Sequence, residues 1–289
     1  MEEGVDTEYK FEKKDPSTMG NVLLNYALFG DNSEFKKRPS LSAVKKLTTE
    51  ELLKLAKEAT SYAASFHYCG NIAPETVAKD ITQNYFLSDK GSPTLAFKEP
   101  KVFDKTTIYI VNDKSARQNQ IYFSVLGNTY NSADDAKLSL LSQYYGGSFS
   151  GLIVQEIREY RSLAYASGGG IRKPVDIKKP VRFSAFVGCQ ADKTNESIDV
   201  MMKLIRDLPK YPDRLNPFKT YVAGSISTNY PLPRERSQAI ERLQLQGFTS
   251  DPKINEFNTV KNISFDEMYN YYQQSFLGRR TSMNSRWAR

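Results

Sequence analysis

Histidine is almost absent from this sequence: the 289 residues contain one, His67. A catalytic zinc ion normally takes three protein ligands, often two histidines one helical turn apart and a carboxylate, so this chain cannot build such a metal site by itself. A Ser/His/Asp or Cys/His nucleophile system is disfavoured for the same reason. His67 and Cys69 share one face of a predicted strand, and we interpret His67 as a hydrogen-bonded histidine of the core.

Cysteine is also scarce, and its two occurrences, Cys69 and Cys189, lie far apart with no Cys-x-x-Cys spacing. This arrangement excludes a zinc knuckle and a dithiol redox motif. Free, buried thiols are the favoured interpretation, because cysteine packs well as a small hydrophobic residue. A single disulfide between the two stays open as the alternative.

Long apolar runs are missing too, since no stretch approaches the ~20 residues that a membrane helix needs. The N-terminal segment carries Glu2, Glu3, Asp6, Glu8 and Glu12 where a secretory signal has a basic start and an apolar stretch. We expect a soluble protein without a signal peptide or membrane span, cytoplasmic, or periplasmic if the full-length protein is exported. The net charge is +7, but acids are interspersed with the basic residues and nucleic-acid motifs are absent, so nucleic-acid binding is disfavoured.

What the sequence does contain divides into two predicted parts joined by a linker. Residues 1–86 form the first part, in which Thr-Thr-Glu-Glu at residues 48–51 is a capping box that begins a helix. Residues 61–69 follow as a predicted buried strand, because they are rich in β-formers and alanine. Residues 87–104 contain Ser, Gly, Pro and Lys without periodicity and predict the linker, so residues 105–289 form the second part.

In the second part, the order strand, strand, helix, helix, strand, strand, helix predicts an α+β fold. We expect a mostly antiparallel sheet that is covered by helices on one face. The predicted strands are residues 106–111, 120–126, 163–171 and 181–189, and the predicted helices are residues 132–145, 148–161, 194–208, 219–230 and 234–246.

The end of the chain repeats the capping pattern, with Ser-Phe-Asp-Glu at residues 264–267. The repetition indicates two copies of one domain ending. The first copy is followed by the apolar segment 61–69, whereas residues 278–289 show no strand pattern. We therefore predict that the second copy lacks its last strand, and that this end is either disordered or completed by another chain.

The most informative segment is residues 146–170, in which paired glycines precede a charged helix and a strand begins near Tyr165. Two interpretations are open. The charged residues between 156 and 161 are typical of a solvated helix face with ion pairs. Alternatively, an arginine of the helix and the Tyr165 phenol donate hydrogen bonds into a cleft, where they polarise a peptide carbonyl.

Gln-Glu-Ile-Arg-Glu-Tyr-Arg-Ser-Leu-Ala-Tyr at residues 155–165, after Gly-Gly-Ser and before a glycine-ending strand, resembles the signature of the insulinase/pitrilysin-type zinc peptidases, peptidase family M16. The resemblance implies duplicated, ferredoxin-like α/β sandwiches of the M16 type, four of which form two halves that close around an unfolded peptide. The family's zinc motif, His-x-x-Glu-His, is absent, and the equivalent helix at residues 132–145 bears leucines, Ser and Gln instead. By this resemblance the chain is the C-terminal half, with residues 1–86 closing the preceding domain.

The same resemblance implies which residues act. In active members an Arg and a Tyr seven residues apart reach the substrate carbonyl near the zinc, and Arg158 and Tyr165 have that spacing. Arg161 is the fallback, and Ser162 stands where the signature usually has glycine. The resemblance assigns no metal to this chain and places the zinc in a partner N-terminal half that carries His-x-x-Glu-His.

These implications give a functional prediction. The chain would be the non-zinc-binding half of a zinc metalloendopeptidase, which forms the chamber wall and supplies substrate-binding and oxyanion residues for peptide hydrolysis. Alone, it is expected to hydrolyse no peptide. The alternatives are a catalytically inactive scaffold subunit, like the core proteins of respiratory complexes, and an interaction module.

Overall fold

A computed structural model of the chain describes residues 7, 9–12, 14–85, 99–113 and 116–277, and the backbone of residues 281–287. The α-helices are α1 (Pro16–Phe29), α2 (Glu34–Lys37), α3 (Leu41–Val44), α4 (Thr49–Ala59), α5 (Pro74–Asn84), α6 (Asp135–Tyr145), α7 (Thr194–Arg206), α8 (Leu215–Thr228), α9 (Arg236–Leu245), α10 (Pro252–Val260) and α11 (Phe265–Ser275). A π-helix covers Val154–Glu159, and the strands are β1 (Thr107–Asn112), β2 (Gln118–Thr129), β3 (Ala164–Arg172), β4 (Pro180–Gln190) and β5 (Thr281–Trp287). Within the described ranges, no helix has both the length and the apolar character needed to cross a membrane.

The strands form one sheet in the order β1-β5-β2-β4-β3. β1 and β5 run parallel, and each other neighbouring pair is antiparallel. The predicted α+β fold with a mostly antiparallel sheet is therefore confirmed, as are the helix starts at both capping boxes. Most of the predicted linker, residues 87–98, lies outside the described residues.

β5 corrects the prediction that the last strand is missing. Residues 281–287 lie between β1 and β2, and their backbone pairs with both, for example Arg286 beside Gln120. The prediction relied on alternating apolar side chains, which residues 278–289 lack. A ladder, however, uses the N–H and C=O groups that every residue except proline carries, so a polar segment with a neighbour on each side can still form a strand. Residues 281–287 are thus ordered within this chain's own sheet.

The main core lies between one face of the sheet and the helices α6, α7, α8, α10 and α11. Two fully buried tyrosines fix these helices together through their hydroxyl groups. Tyr145 of α6 donates to the carbonyl of Leu204 at 3.2 Å, and Tyr272 of α11 donates to that of Ile205 at 3.1 Å. Burial raises the pKa of Tyr272 to about 12, so its hydroxyl remains a neutral donor.

α1 covers part of the opposite face of the sheet. Tyr122 of β2 points away from the core that holds Phe123, and its hydroxyl donates to the carbonyl of Ser17 at 3.3 Å. Gly20 sits against the Tyr122 ring so closely that a Cβ atom there would overlap it. The structure therefore adds a helix to the face that the sequence prediction left open.

Residues 61–69 do not form the predicted buried strand. They are irregular and largely exposed, and the flanking helices α4 and α5 bury none of their residues. A strand needs a neighbour that satisfies its backbone groups, and among the described residues none pairs with this segment. Local composition therefore predicted a strand for which the rest of the described chain supplies no partner.

His67 and Cys69 are consequently not core residues, which corrects two further predictions. The His67 side chain is partly exposed, and its Nε2 lies 3.0 Å from Glu241 Oε2 of α9. Cys69 is exposed and Cys189 is buried, and both are free thiols. The interpretation as free thiols is confirmed for both cysteines, whereas burial is confirmed only for Cys189.

A buried ion cluster joins the β3–β4 hairpin to α6 and α10. Lys173 Nζ lies 2.9 Å from Asp135 Oδ1 and 3.3 Å from Glu256 Oε2, and both carboxylates are buried. Tyr130 donates a hydrogen bond of 3.0 Å to Asp135 Oδ2. Burial raises the pKa of Asp135, and the nearby Lys173 opposes that rise. Sequence analysis missed this cluster because its members are distant along the chain.

We expect Lys173→Met to destabilise the chain at neutral pH, because it leaves two buried carboxylates without their cation. The expected loss is about 2 kcal/mol, less than for a fully buried pair because Lys173 is partly exposed. With a raised pKa, the folded state binds more protons than the unfolded state, so stability falls as pH rises from about 4 toward neutral, and falls more steeply without Lys173. Urea unfolding across this range measures the effect, and a loss that does not shrink at acid pH would contradict it.

Ser162 adopts a φ of +50° in the turn between the π-helix and β3. The left-handed conformation costs a non-glycine residue about 1–2 kcal/mol, offset in part by the greater unfolded-state entropy of glycine. We therefore expect Ser162→Gly to raise the free energy of unfolding by about 1 kcal/mol in urea denaturation. Ser162→Ala keeps the strained φ and is the matched control. An equal gain in both variants would show that φ is not the cause.

Candidate functional site

Residues 146–163 form a loop, a π-helix and a tight turn rather than the longer helix predicted over residues 148–161. The Tyr160 amide donates to the carbonyl of Gln155, five residues back, at 2.9 Å. Helical turns of this kind are rare and occur frequently at functional sites. The predicted helix is therefore present in part, over residues 154–159, but in this wider form rather than as an α-helix.

The wider turn decides which charged residues meet. Residues five apart lie close together in a π-helix, and Arg161 Nη1 contacts both the carboxylate and the main-chain carbonyl of Glu156. The Glu156 side chain is mostly buried. Arg161, the fallback site residue, is therefore occupied by an internal ion pair. For these two residues the interpretation as an ion-paired helix face describes the structure well.

Tyr165 occupies a β-bulge on the edge strand β3. Ala164 is paired with Cys189 and Ala166 with Gly188, which leaves Tyr165 as the extra residue between them. Bulges re-aim side chains and are common beside active sites. The Tyr165 side chain is turned outward here and is 83% exposed, although tyrosine is usually half-buried or more.

Arg158 lies directly over Tyr165. The guanidinium carbon is 4.6 Å from the centre of the Tyr165 ring and 5.5 Å from that of Phe149. We call these three residues the Arg158 patch. Phe149 belongs to the Gly-Gly-Ser-Phe-Ser-Gly loop, and Gln155 Nε2 donates to its carbonyl at 2.9 Å. Phe149 was not among the predicted site residues, although a single aromatic residue among glycines and serines could have indicated a contact residue.

The patch presents hydrogen-bond donors to the outside. Arg158 has one carboxylate contact, from Nε to Glu159 Oε1 at 3.3 Å, and this contact is partly exposed. Within the described part of the chain, the Tyr165 hydroxyl has no hydrogen-bond partner. A planar cation held on an aromatic ring is restricted in orientation, which lowers the entropy cost of binding a carbonyl or carboxylate oxygen. The structure thus brings the two predicted site residues together.

Among the described residues, Phe149 and Tyr165 of the patch are largely exposed on the surface. The nearest cavity by sequence, of about 530 Å³, is lined by Ser148, Gln155, Arg214 and Phe218 among others, and neither Arg158 nor Tyr165 lines it. A cleft at the patch would therefore require a second wall.

The described residues do not fit a catalytic zinc ion. They contain no group of three His, Cys, Asp or Glu side chains placed to hold a metal. His67 and Ser65 both contact the Glu241 carboxylate, which stands between them, so the serine and the histidine do not form a nucleophile pair. The hydrogen bond from Ser65 and then that from His67 lower the pKa of Glu241.

Several solved structures share this fold. The peptidase M16 inactive domain from Pseudomonas fluorescens superposes with a TM-score of 0.73 at 16% identity, covering 100% of this chain and 69% of that chain. A chain of complex III from Candida albicans gives 0.66 at 14% identity, covering 99% and 70%. The periplasmic protease PqqL from Escherichia coli gives 0.66 at 15% identity, covering 100% of this chain and 32% of that one. At these identities the similarity concerns the fold.

A comparison with curated protein sequences finds no match. A family profile described as the peptidase M16 inactive domain matches residues 46–213, more than half of the chain, and includes Arg158 and Tyr165. The match runs across residues 87–104, so the division into two parts stays a prediction. The chain belongs to the family of the peptidase M16 inactive domain.

Proposed function

We propose that this chain is the zinc-free half of an M16 peptidase, in which it forms one wall of a chamber and holds a peptide through Arg158 and Tyr165. The observation that carries the proposal is the Arg158 patch, where a bulge on an edge strand exposes a phenol beneath a stacked guanidinium. A purely structural role would not require an exposed tyrosine hydroxyl beside a cation. The peptidase family to which the chain belongs makes a peptide the natural ligand.

In this arrangement the Tyr165 hydroxyl donates a hydrogen bond to the oxygen of a peptide carbonyl, and Arg158 supplies positive charge beside it. Such donors stabilise an oxyanion more than the ground-state carbonyl, which lowers the barrier to attack. The zinc and the base that activate water would belong to a partner half with His-x-x-Glu-His, since the donor set described here does not fit them.

The proposed partner would cover the apolar surface around α4 and residues 61–69. Leu52 and Leu55 of α4 are about half exposed, as are Phe66 and Tyr85, whose rings contact each other at a centroid distance of 5.5 Å. An exposed amphipathic helix beside an unpaired extended segment is what remains when a domain's sheet is supplied from elsewhere. We therefore propose that residues 1–86 close a preceding M16-type domain, and that the zinc-bearing half covers their exposed apolar surface.

A scaffold role is the second candidate. The similarity to a complex III chain favours a subunit that assembles into a larger complex, and the exposed apolar surface of α4 fits both candidates. The two candidates share the partner surface and differ in the use of Tyr165. An activity test of the assembled protein separates them.

We expect Tyr165→Phe to lower kcat at least roughly tenfold in the assembled protein and to change KM little, because the lost donor acts mainly on the transition state. Peptide turnover is measured after this chain is combined with the His-x-x-Glu-His half. Tyr160→Phe is the matched control, since Tyr160 is also exposed and its hydroxyl contacts Arg214 at 3.4 Å. Equal turnover of Tyr165→Phe and the unaltered chain would contradict the role of Tyr165, and no turnover in any assembly would favour the scaffold role.

The partner surface has its own test. We expect the double variant Leu52→Asp and Leu55→Asp to raise the dissociation constant for the zinc-bearing half at least tenfold, because it places charge where apolar surface is to be buried. Isothermal titration calorimetry measures the constant, and circular dichroism checks the helix content. Ile254→Asp is the control, because Ile254 is similarly exposed on α10. Unchanged affinity of the double variant would place the partner elsewhere.

A further inference from the structure

Two arginines face each other at the end of the sheet edge that is distant from Tyr165. Arg172 of β3 and Arg182 of β4 are directly paired across the two strands. Like charges at such positions destabilise a sheet, because the Cβ atoms are only about 5 Å apart. The flanking residues Ile171 and Phe183 pack in the core, so both arginines lie on the opposite face.

No carboxylate in the described part of the chain pairs with either arginine. Arg172 is exposed, whereas Arg182 is half-buried and its Nε atom is enclosed without a hydrogen-bond acceptor. Burial and the charge of Arg172 both lower the pKa of Arg182, although a guanidinium remains protonated in proteins. A buried donor without an acceptor costs about 1–3 kcal/mol, so this position favours an incoming anion.

Neighbouring lysines do have carboxylate partners, in contrast to Arg172 and Arg182. Lys173 is paired with Asp135 and Glu256, and Lys179 is paired with Glu99. Two lysines of the hairpin thus have carboxylate partners from other parts of the chain, whereas its two arginines have none among the described residues. A guanidinium also has the planar fork that matches a carboxylate or phosphate group with two parallel hydrogen bonds.

A small cavity lies at these arginines. Its volume is about 280 Å³, and its walls include Pro100, Pro174 and Pro180, which fix the backbone shape of the site. The acidic residue among the described lining residues is Asp176, whose Oδ1 already accepts the Lys178 amide at 2.9 Å. The cavity suits one anionic group rather than a large ligand.

We propose that Arg172 and Arg182 form an anion-binding site that takes one carboxylate or phosphate group. The site does not depend on the proposed peptidase role, because it lies at the far end of β3 from Tyr165, about 23 Å away at 3.3 Å per residue. The group could come from a free anion or from an acidic side chain of a bound peptide. The same two arginines would bind either source.

The test is a calorimetric titration of the 289-residue chain with inorganic phosphate at constant ionic strength. Arg172→Gln and Arg182→Gln are each expected to raise the dissociation constant at least tenfold. Arg182→Lys keeps the charge but loses the fork, so an intermediate weakening is expected. Arg236→Gln, a change at an exposed arginine of α9, is the matched control and should leave phosphate binding unchanged.

Two end-blocked peptides that differ by one Asp-to-Asn replacement distinguish the sources. Tighter binding of the Asp peptide than of phosphate assigns the site to a peptide carboxylate, and the reverse assigns it to a free anion. The proposal would be overturned if Arg172→Gln and Arg182→Gln both bound phosphate within twofold of the affinity of the unaltered chain. It would also be overturned if Arg236→Gln lost as much phosphate affinity as they do. Melting temperatures in chloride buffer verify folding, because removing a like charge should not destabilise the sheet.

Discussion

The pairing of β4 with two strands at once is the constraint on which the rest of the structure depends. On one side β4 follows β2 from Gln118 to Thr129, and on the other it holds β3. The β2 side fixes the sheet beneath the core helices. The β3 side sets both the bulge at Tyr165 and the cross-strand pair of Arg172 and Arg182. The proposed peptide contact and the proposed anion site therefore depend on the register of one central strand.

Local chemistry made some elements predictable. The capping boxes at residues 48–51 and 264–267 satisfy free helix amides with side chains only three residues away, so the sequence contains all that is needed. The predictions for β5 and for residues 61–69 were wrong, because strand formation depends on partners that are distant along the chain. A polar segment became a strand where two neighbours flanked it, and an apolar one remained irregular where none did.

The candidate site could be predicted in part. The resemblance to the M16 signature singled out Arg158 and Tyr165, and the structure brings them into contact. The resemblance ranked Arg158 first and Arg161 as the fallback, but the sequence alone does not show which arginine contacts Tyr165. In the structure, the five-residue spacing of the π-helix joins Arg161 to Glu156 and leaves Arg158 over Tyr165, which is why the proposal uses Arg158. Phe149 was missed because the loop that carries it has no periodic pattern.

β3 is one of the two edge strands of the described sheet, the other being β1. An open edge invites pairing with the edge of a second copy, although here Ser142 Oγ accepts the Ile171 amide at 3.0 Å and Gly146 lies against the Gly169 backbone. The bulge at Tyr165 interrupts the ladder at one end, and Arg172 places positive charge at the other. Two copies brought edge to edge would meet a distorted backbone and like charges, whereas a single acidic peptide would meet attraction. The features that favour a ligand at this edge thus also protect the chain against self-association.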